Sequence, residues 1–144
     1  MNTPPLRVFF DADVIIAGSA STEGASPGLL RLAEFSIVDG ITSLYVVKEV
    51  RRNLARKVPR GLPVFEALWP RALSLVDDVD DCRPFQAWAD PKDVPVVASA
   101  LTARAVWLCT FNTRDDFGPP ALLVLPPGEA LHRVREAIAH SVRE

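Results

Sequence analysis

Six carboxylates and a threonine stand at spacings that could do chemistry in this chain. Asp11 and Asp13 follow the apolar run Leu6-Arg7-Val8-Phe9-Phe10. Glu49 lies inside a segment of helical periodicity, Asp93 stands just before another, and Asp115 and Asp116 come a few residues after an apolar run ending at Thr110. Carboxylates gathered in one cleft repel each other unless a proton or a cation intervenes. With only three lysines (48, 57, 92) and two histidines (132, 140), a hard divalent ion, Mg²⁺ or Mn²⁺, is the natural counter-charge. Cysteine or histidine pairs at ligand spacing are absent from the sequence, which argues against zinc. Such a cluster suits activation of water against a phosphate ester.

Each acid also has a plainer role open to it. Asp93 is the kind of residue that caps a helix, and Asp11 or Asp13 could cap one starting near Val14. Asp115 and Asp116 could be turn residues in Asn-Thr-Arg-Asp-Asp. At 100° per residue Glu49 falls at the border of an apolar stripe, where it could lean towards a cleft or pair with Arg52. Capping and turn formation do not require these acids to arrive at one edge.

The elements that position them follow from periodicity. Leu6–Phe10 suits a central strand covered on both faces. Ser26-Pro27 reads as the cap and first position of a helix through Leu29, Leu30, Leu32 and Ala33. Residues 37–42 make a strand candidate broken by Asp39-Gly40, and Ser43 caps a helix carrying Val47, Val50, Leu54 and Val58. A helix over 62–72, containing Pro70, leads to a strand at 73–76. Residues 77–92 read as a loop. Val94, Val97, Ala98, Leu101 and Ala105 trace one helix face, 105–110 and 121–125 read as buried strands, and 128–142 as a closing helix. Strands alternating with helices predict an α/β fold with a parallel sheet covered on both faces. Ligands of such sheets bind beyond the carboxyl ends of the strands, where most of these acids fall.

Composition bounds the rest. The chain has 144 residues, 49% hydrophobic and 24% charged, which fits one domain over 1–144 and excludes a disordered tail protein. No apolar run exceeds five residues, so no membrane span is expected, and Met1-Asn2-Thr3-Pro4-Pro5 lacks the features of a secretory signal. Two cysteines build no disulfide framework. A cytoplasmic protein is the expectation. The net charge of −2 argues against coating nucleic acid through bulk positive charge. It is segregated, however: residues 48–60 hold six basic side chains against one acid, and residues 77–93 six aspartates against two basic side chains. Arg51, Arg52, Arg56 and Lys57 are candidates for guiding a phosphate backbone, or else a solubilising helix face. No aromatic stripe suggests which bases would be read.

Val8-Phe9-Phe10-Asp11-Ala12-Asp13-Val14-Ile15-Ile16 resembles the opening strand of the PIN-domain ribonucleases. Ser43 to Leu54, with Glu49-Val50-Arg51-Arg52, is similar to that family's second motif, and Asp90-Pro91-Lys92-Asp93 with Val96 to Leu101 to its third. Residues 108–117 resemble the fourth motif, and Val124-Leu125-Pro126 with Leu131 the closing strand and helix. The resemblance implies an α/β/α sandwich around a parallel sheet of about four to five strands. It implies Mg²⁺ or Mn²⁺ held by Asp11, Glu49, Asp93 and Asp115, with Asp116 or Asn112 as substitutes for the last. Thr110, Asn112, Asp13 and Asp116 would support the site. Many relatives carry an acid at the position of Asn112 and an asparagine at that of Asp13; here the types are exchanged.

The family implies a metal-dependent endoribonuclease, often the VapC-type toxin of a bacterial toxin–antitoxin pair, dimeric and silenced by a small antitoxin. Two alternatives are a degenerate module that binds RNA or a partner without cutting, and a haloacid-dehalogenase-like phosphatase. The second lacks the lysine that family needs after Thr110.

Overall fold

A computed structural model describes residues 4–113 and 119–143. Val8, Phe9 and Phe10 are fully buried, which makes β1 (Leu6–Phe10) the central strand its composition predicts. It is followed by α1 (Ala12–Ala20), α2 (Ala25–Glu34), β2 (Val38–Ser43), α3 (Leu44–Lys57), α4 (Gly61–Ala72) and β3 (Ser74–Val76). A 3₁₀ segment (Arg83–Trp88), α5 (Val94–Thr102), β4 (Trp107–Cys109), β5 (Leu123–Leu125) and α6 (Pro127–Arg143) complete the order. The five strands form one parallel sheet in the order β3-β2-β1-β4-β5. This is the α/β/α architecture expected from the alternation of elements.

Strand order explains where a site can form. The chain steps outward from β1 through β2 to β3, then crosses back to place β4 and β5 on the other side of β1. Right-handed crossovers put the helices after β1 and β2 on one face and α5, made on the return, on the opposite one. The direction reverses between β1 and β4, and the neighbouring connections diverge there to leave a crevice beyond the strand ends.

Several local expectations change for identifiable reasons. Gly40 does not break β2. A Cβ there would stand 2.7 Å from the Ala72 carbonyl oxygen and 2.9 Å from Ala33 and Leu73, so the glycine lets α2 and the end of α4 close onto the strand. Its neighbour Asp39 lies opposite Arg7 in the ladder, with 3.3 Å between the charged atoms. The second helix begins before Ser26: Gly24 is its N-cap at φ 107°, a conformation open to glycine, and Pro27 sits in the first turn where no amide donor is needed. Pro70 is tolerated in the last turn of α4, where Leu73 N still reaches Trp69 O at 2.9 Å. The segment 77–92 is a loop only in part, because Arg83–Trp88 winds into the 3₁₀ segment. Among the described residues, no helix is long and apolar enough to cross a membrane.

Candidate active site

Asp11 is the first residue beyond β1, and three interactions fix it. Its amide donates to Cys109 O at 3.0 Å, which carries the β1–β4 ladder one step further. Oδ1 accepts from Ala12 N at 2.8 Å and so starts α1. Oδ2 accepts the Thr110 hydroxyl at 2.9 Å. Asp11 therefore caps a helix, as one reading of the sequence allowed, but only one oxygen does so.

Thr110 occupies the matching position beyond β4 and is fully buried. Its hydroxyl has one proton, directed at Asp11 by the shortest contact; the Asp13 carboxylate lies 3.3 Å away and Asn112 N donates to the same hydroxyl oxygen at 3.1 Å. Asp13, in the first turn of α1, accepts from Phe111 N at 3.0 Å. The backbone after β4 is thereby tied to the start of α1.

Asp93 stands at the N-cap position of α5, yet its side chain makes no capping bond. Its Oδ2 instead accepts from Asn112 Nδ2 at 3.2 Å. Asp90 forms the preceding turn, its carbonyl accepting from Asp93 N and Val94 N at 2.8 and 3.1 Å. On the other side, Ser43 caps α3 by accepting from Val46 N, and the Thr42 hydroxyl donates to Phe10 O at 3.0 Å. These bonds seat the helix that carries Glu49 on the end of β1. Glu49 is half-buried at the border of the apolar face made by Val46, Val47, Val50 and Leu54.

Asp11, Asp13, Glu49, Asp93 and Asn112 thus line one cleft of about 520 Å³ at the reversal point of the sheet. Tyr45 and Lys92 line it too, and neither was singled out for the site from sequence. A signal existed for each: Tyr45 lies one helical turn before Glu49, and Lys92 adjoins Asp93. Asp115 and Asp116 lie outside the described residues.

The cleft is electrostatically unbalanced. Burial, then the Asp13 charge and more weakly that of Glu49, pushes Asp11 up to about 6, against the pull of its bonds from Ala12 and Thr110. Asp13 is raised by burial, with Asp93 adding to it, while its bonds from Phe111, Val14 and Thr110 oppose the shift. The Tyr45 phenol is raised by burial and by Glu49, with Arg52 acting the other way. Among the described residues, no three His, Cys, Asp or Glu side chains converge into a ready-made metal cluster. The four carboxylates lining the cleft nevertheless offer oxygen ligands and outnumber its one ammonium, Lys92, and that excess negative charge fits a hard divalent cation rather than zinc. Burial drives the nearby Cys109 thiol up as well, so it stays an inert core residue.

The basic candidates divide. Arg51 makes a two-pronged pair with Glu66 of α4 at 2.7 and 2.8 Å, with its guanidinium 6.0 Å from the Trp69 ring centroid. It clasps α3 to α4. Arg52, Arg56 and Lys57 are exposed on α3.

Known proteins resemble this chain in family pattern and in fold. The PIN domain family matches residues 7–114. No curated protein matches the chain. Among solved structures, a chain in the crystal structure of VapBC2 from Rickettsia felis bound to a DNA fragment from their promoter superposes with a TM-score of 0.63 at 14% identity. The match covers 83% of this chain and 97% of that one.

Proposed function

The chain belongs to the PIN domain family, and from that premise we propose that it is an endoribonuclease dependent on Mg²⁺ or Mn²⁺. The observation that carries this reading is the gathering of Asp11, Glu49 and Asp93 in one cleft at the sheet's reversal point. All the acidic positions of the family pattern are filled, which favours a nuclease over a module that only binds. Asp11, Glu49 and Asp93 would hold the cation, with Asp115 or Asp116 as the fourth acid. When bound, such an ion supplies Lewis-acid stabilisation of a phosphodiester and lowers the pKa of water.

The chain's own groups do the positioning. The Thr110 hydroxyl holds one Asp11 oxygen while Ala12 N holds the other, so the carboxylate cannot turn away from the cleft. Asn112 orients Asp93, and Phe111 N anchors Asp13. Lys92 offers an ammonium to a non-bridging phosphate oxygen, and Arg52, Arg56 and Lys57 guide the strand leading into the cleft.

The fold shared with a chain of the VapBC2 assembly supports a further reading, that the protein is a VapC-type toxin silenced by a small antitoxin. It would then be a cytoplasmic, single-domain protein acting as a homodimer. Hydrolysis of labelled single-stranded RNA with Mg²⁺, with Mn²⁺ and with EDTA, beside the Asp11→Asn variant, tests the enzyme. Metal-dependent cleavage lost in the variant is the expected result. Undiminished cleavage by Asp11→Asn sinks the site, and none by the folded parent sinks the activity.

A further inference from the structure

Tyr45, Glu49, Arg52 and Arg56 fall at i, i+4, i+7 and i+11 of α3 and so share one stripe of that helix. Val46, Val47, Val50 and Leu54 occupy the buried side. The stripe runs about 16 Å, long enough to accompany several nucleotides. It presents an aromatic ring, a cleft carboxylate and two guanidinium groups in that order. Tyr45 heads it, 38% exposed, lining the cleft and contributing nothing to the buried core cluster.

Its mount is firm, because its amide donates to Asp78 Oδ1 at 2.9 Å and Ser43 caps the same turn. A part-exposed ring on a fixed helix start, beside carboxylates and leading into arginines, stands outside the buried core. It does have the features of a stacking platform for a base, which every nucleotide offers whatever its sequence.

We propose that Tyr45 binds substrate by stacking on the base next to the scissile phosphate, so that the enzyme takes an unpaired strand whose base has been turned out. This rests on the ribonuclease reading above. Base-paired RNA keeps its bases stacked within the helix, so the ring selects for single-stranded substrate.

The test is fluorescence anisotropy with Ca²⁺ in place of Mg²⁺, so that binding is read without turnover, and two labelled probes of equal charge, a 12-nucleotide oligouridine RNA and a 12-unit abasic ribose-phosphate chain. Tyr45→Leu is expected to weaken oligouridine binding by on the order of tenfold and to leave the abasic chain unchanged, since stacking is worth about 1–3 kcal/mol per base. Tyr45→Phe keeps the ring and should bind as the parent does. Phe35→Leu, at an aromatic 72% exposed just before β2 and far from the cleft edge of the sheet, is the control.

Three results overturn stacking. They are unchanged oligouridine binding by Tyr45→Leu, an equal loss on both probes, or a Tyr45→Phe loss matching that of Tyr45→Leu. The ribonuclease reading fails separately: a parent that binds oligouridine without cleaving RNA refutes catalysis and leaves the stacking result standing. A parent that neither binds nor cleaves removes both.

Discussion

Two acidic regions of this molecule share a residue type and almost nothing else. Asp77, Asp78, Asp80 and Asp81 make the densest run of carboxylates in the chain, exposed between β3 and the 3₁₀ segment, with Asp78 accepting from Tyr45 N. Asp81 there pairs with Arg83 at 2.9 Å, and that bond holds its carboxyl below the ordinary value. Asp11 has only Asp13 near it in sequence, yet it is pushed up to about 6 because burial and neighbouring charges leave its own uncompensated. Density of charge along the chain marks a solvated surface. Convergence of a few acids from distant segments onto a buried edge marks chemistry.

The largest test of that contrast is catalytic. Asp11→Asn should reduce RNA cleavage by about a thousandfold or more, on the scale of losing a positioned electrostatic group. Asp81→Asn should cleave within about twofold of the parent, since rim charges act weakly. Equal losses in the two variants would erase the distinction.

Stability against pH sharpens it, because the two acids have opposite signs. Asp11 has its folded value raised from 3.8 to about 6. Its favourable contribution is therefore complete below about pH 4 and lost as pH rises to about 6. Denaturant unfolding in EDTA should find Asp11→Asn more stable than the parent at pH 7 to 8, by up to about 3 kcal/mol, with the gain fading towards pH 4. Asp81, whose folded value is lowered, contributes above its unfolded value and loses that on acidification. Its asparagine variant should be slightly less stable at pH 7 and match the parent in acid.

Thr110→Val keeps the shape of a fully buried side chain and removes one hydroxyl. Groups that orient a metal ligand typically affect metal affinity or activity by about 10–100-fold. Titration of cleavage against Mn²⁺ should show a loss of that order, while Thr113→Val, just beyond the supporting residues, should change little. The smallest effect belongs to the basic stripe. Arg52→Ala with Arg56→Ala should flatten the salt dependence of RNA binding by about 0.7 for each phosphate the protein no longer neutralises. Arg51→Ala should leave that slope alone and cost about 0.2–1 kcal/mol of stability, because its charge is spent on Glu66.

How far the sequence could be read follows from how local each determinant is. An apolar strand ending in Asp11 and the serine cap of α3 depend on residues close together, and both were legible. Gly40 misled because the atoms that require it belong to Ala33, Ala72 and Leu73 on other elements. Asp93 looked like a helix cap from its neighbours, whereas its bonding partner Asn112 lies 19 residues on. Tyr45 escaped notice because one aromatic makes no pattern until α3 is turned towards the cleft. Arg51 is indistinguishable from its basic neighbours until the fold sets Glu66 opposite it.

One bond at the cleft bears on when the site exists at all. Asp11 and Thr110 are 99 residues apart in the chain, and their contact spans the strand pair that closes the sheet's two halves. During synthesis, a nascent chain that has passed Asp93 but not yet added β4 already carries Asp11, Glu49 and Asp93. It still lacks β4, which pairs with β1 on the side away from β2, and the hydroxyl that holds Asp11. These three acids are therefore brought into place late, by the slow formation of a long-range contact rather than by their own appearance in the chain. Translation order itself delays competence, and a chain interrupted before Trp107 carries Asp11, Glu49 and Asp93 without the hydroxyl that aims the first of them.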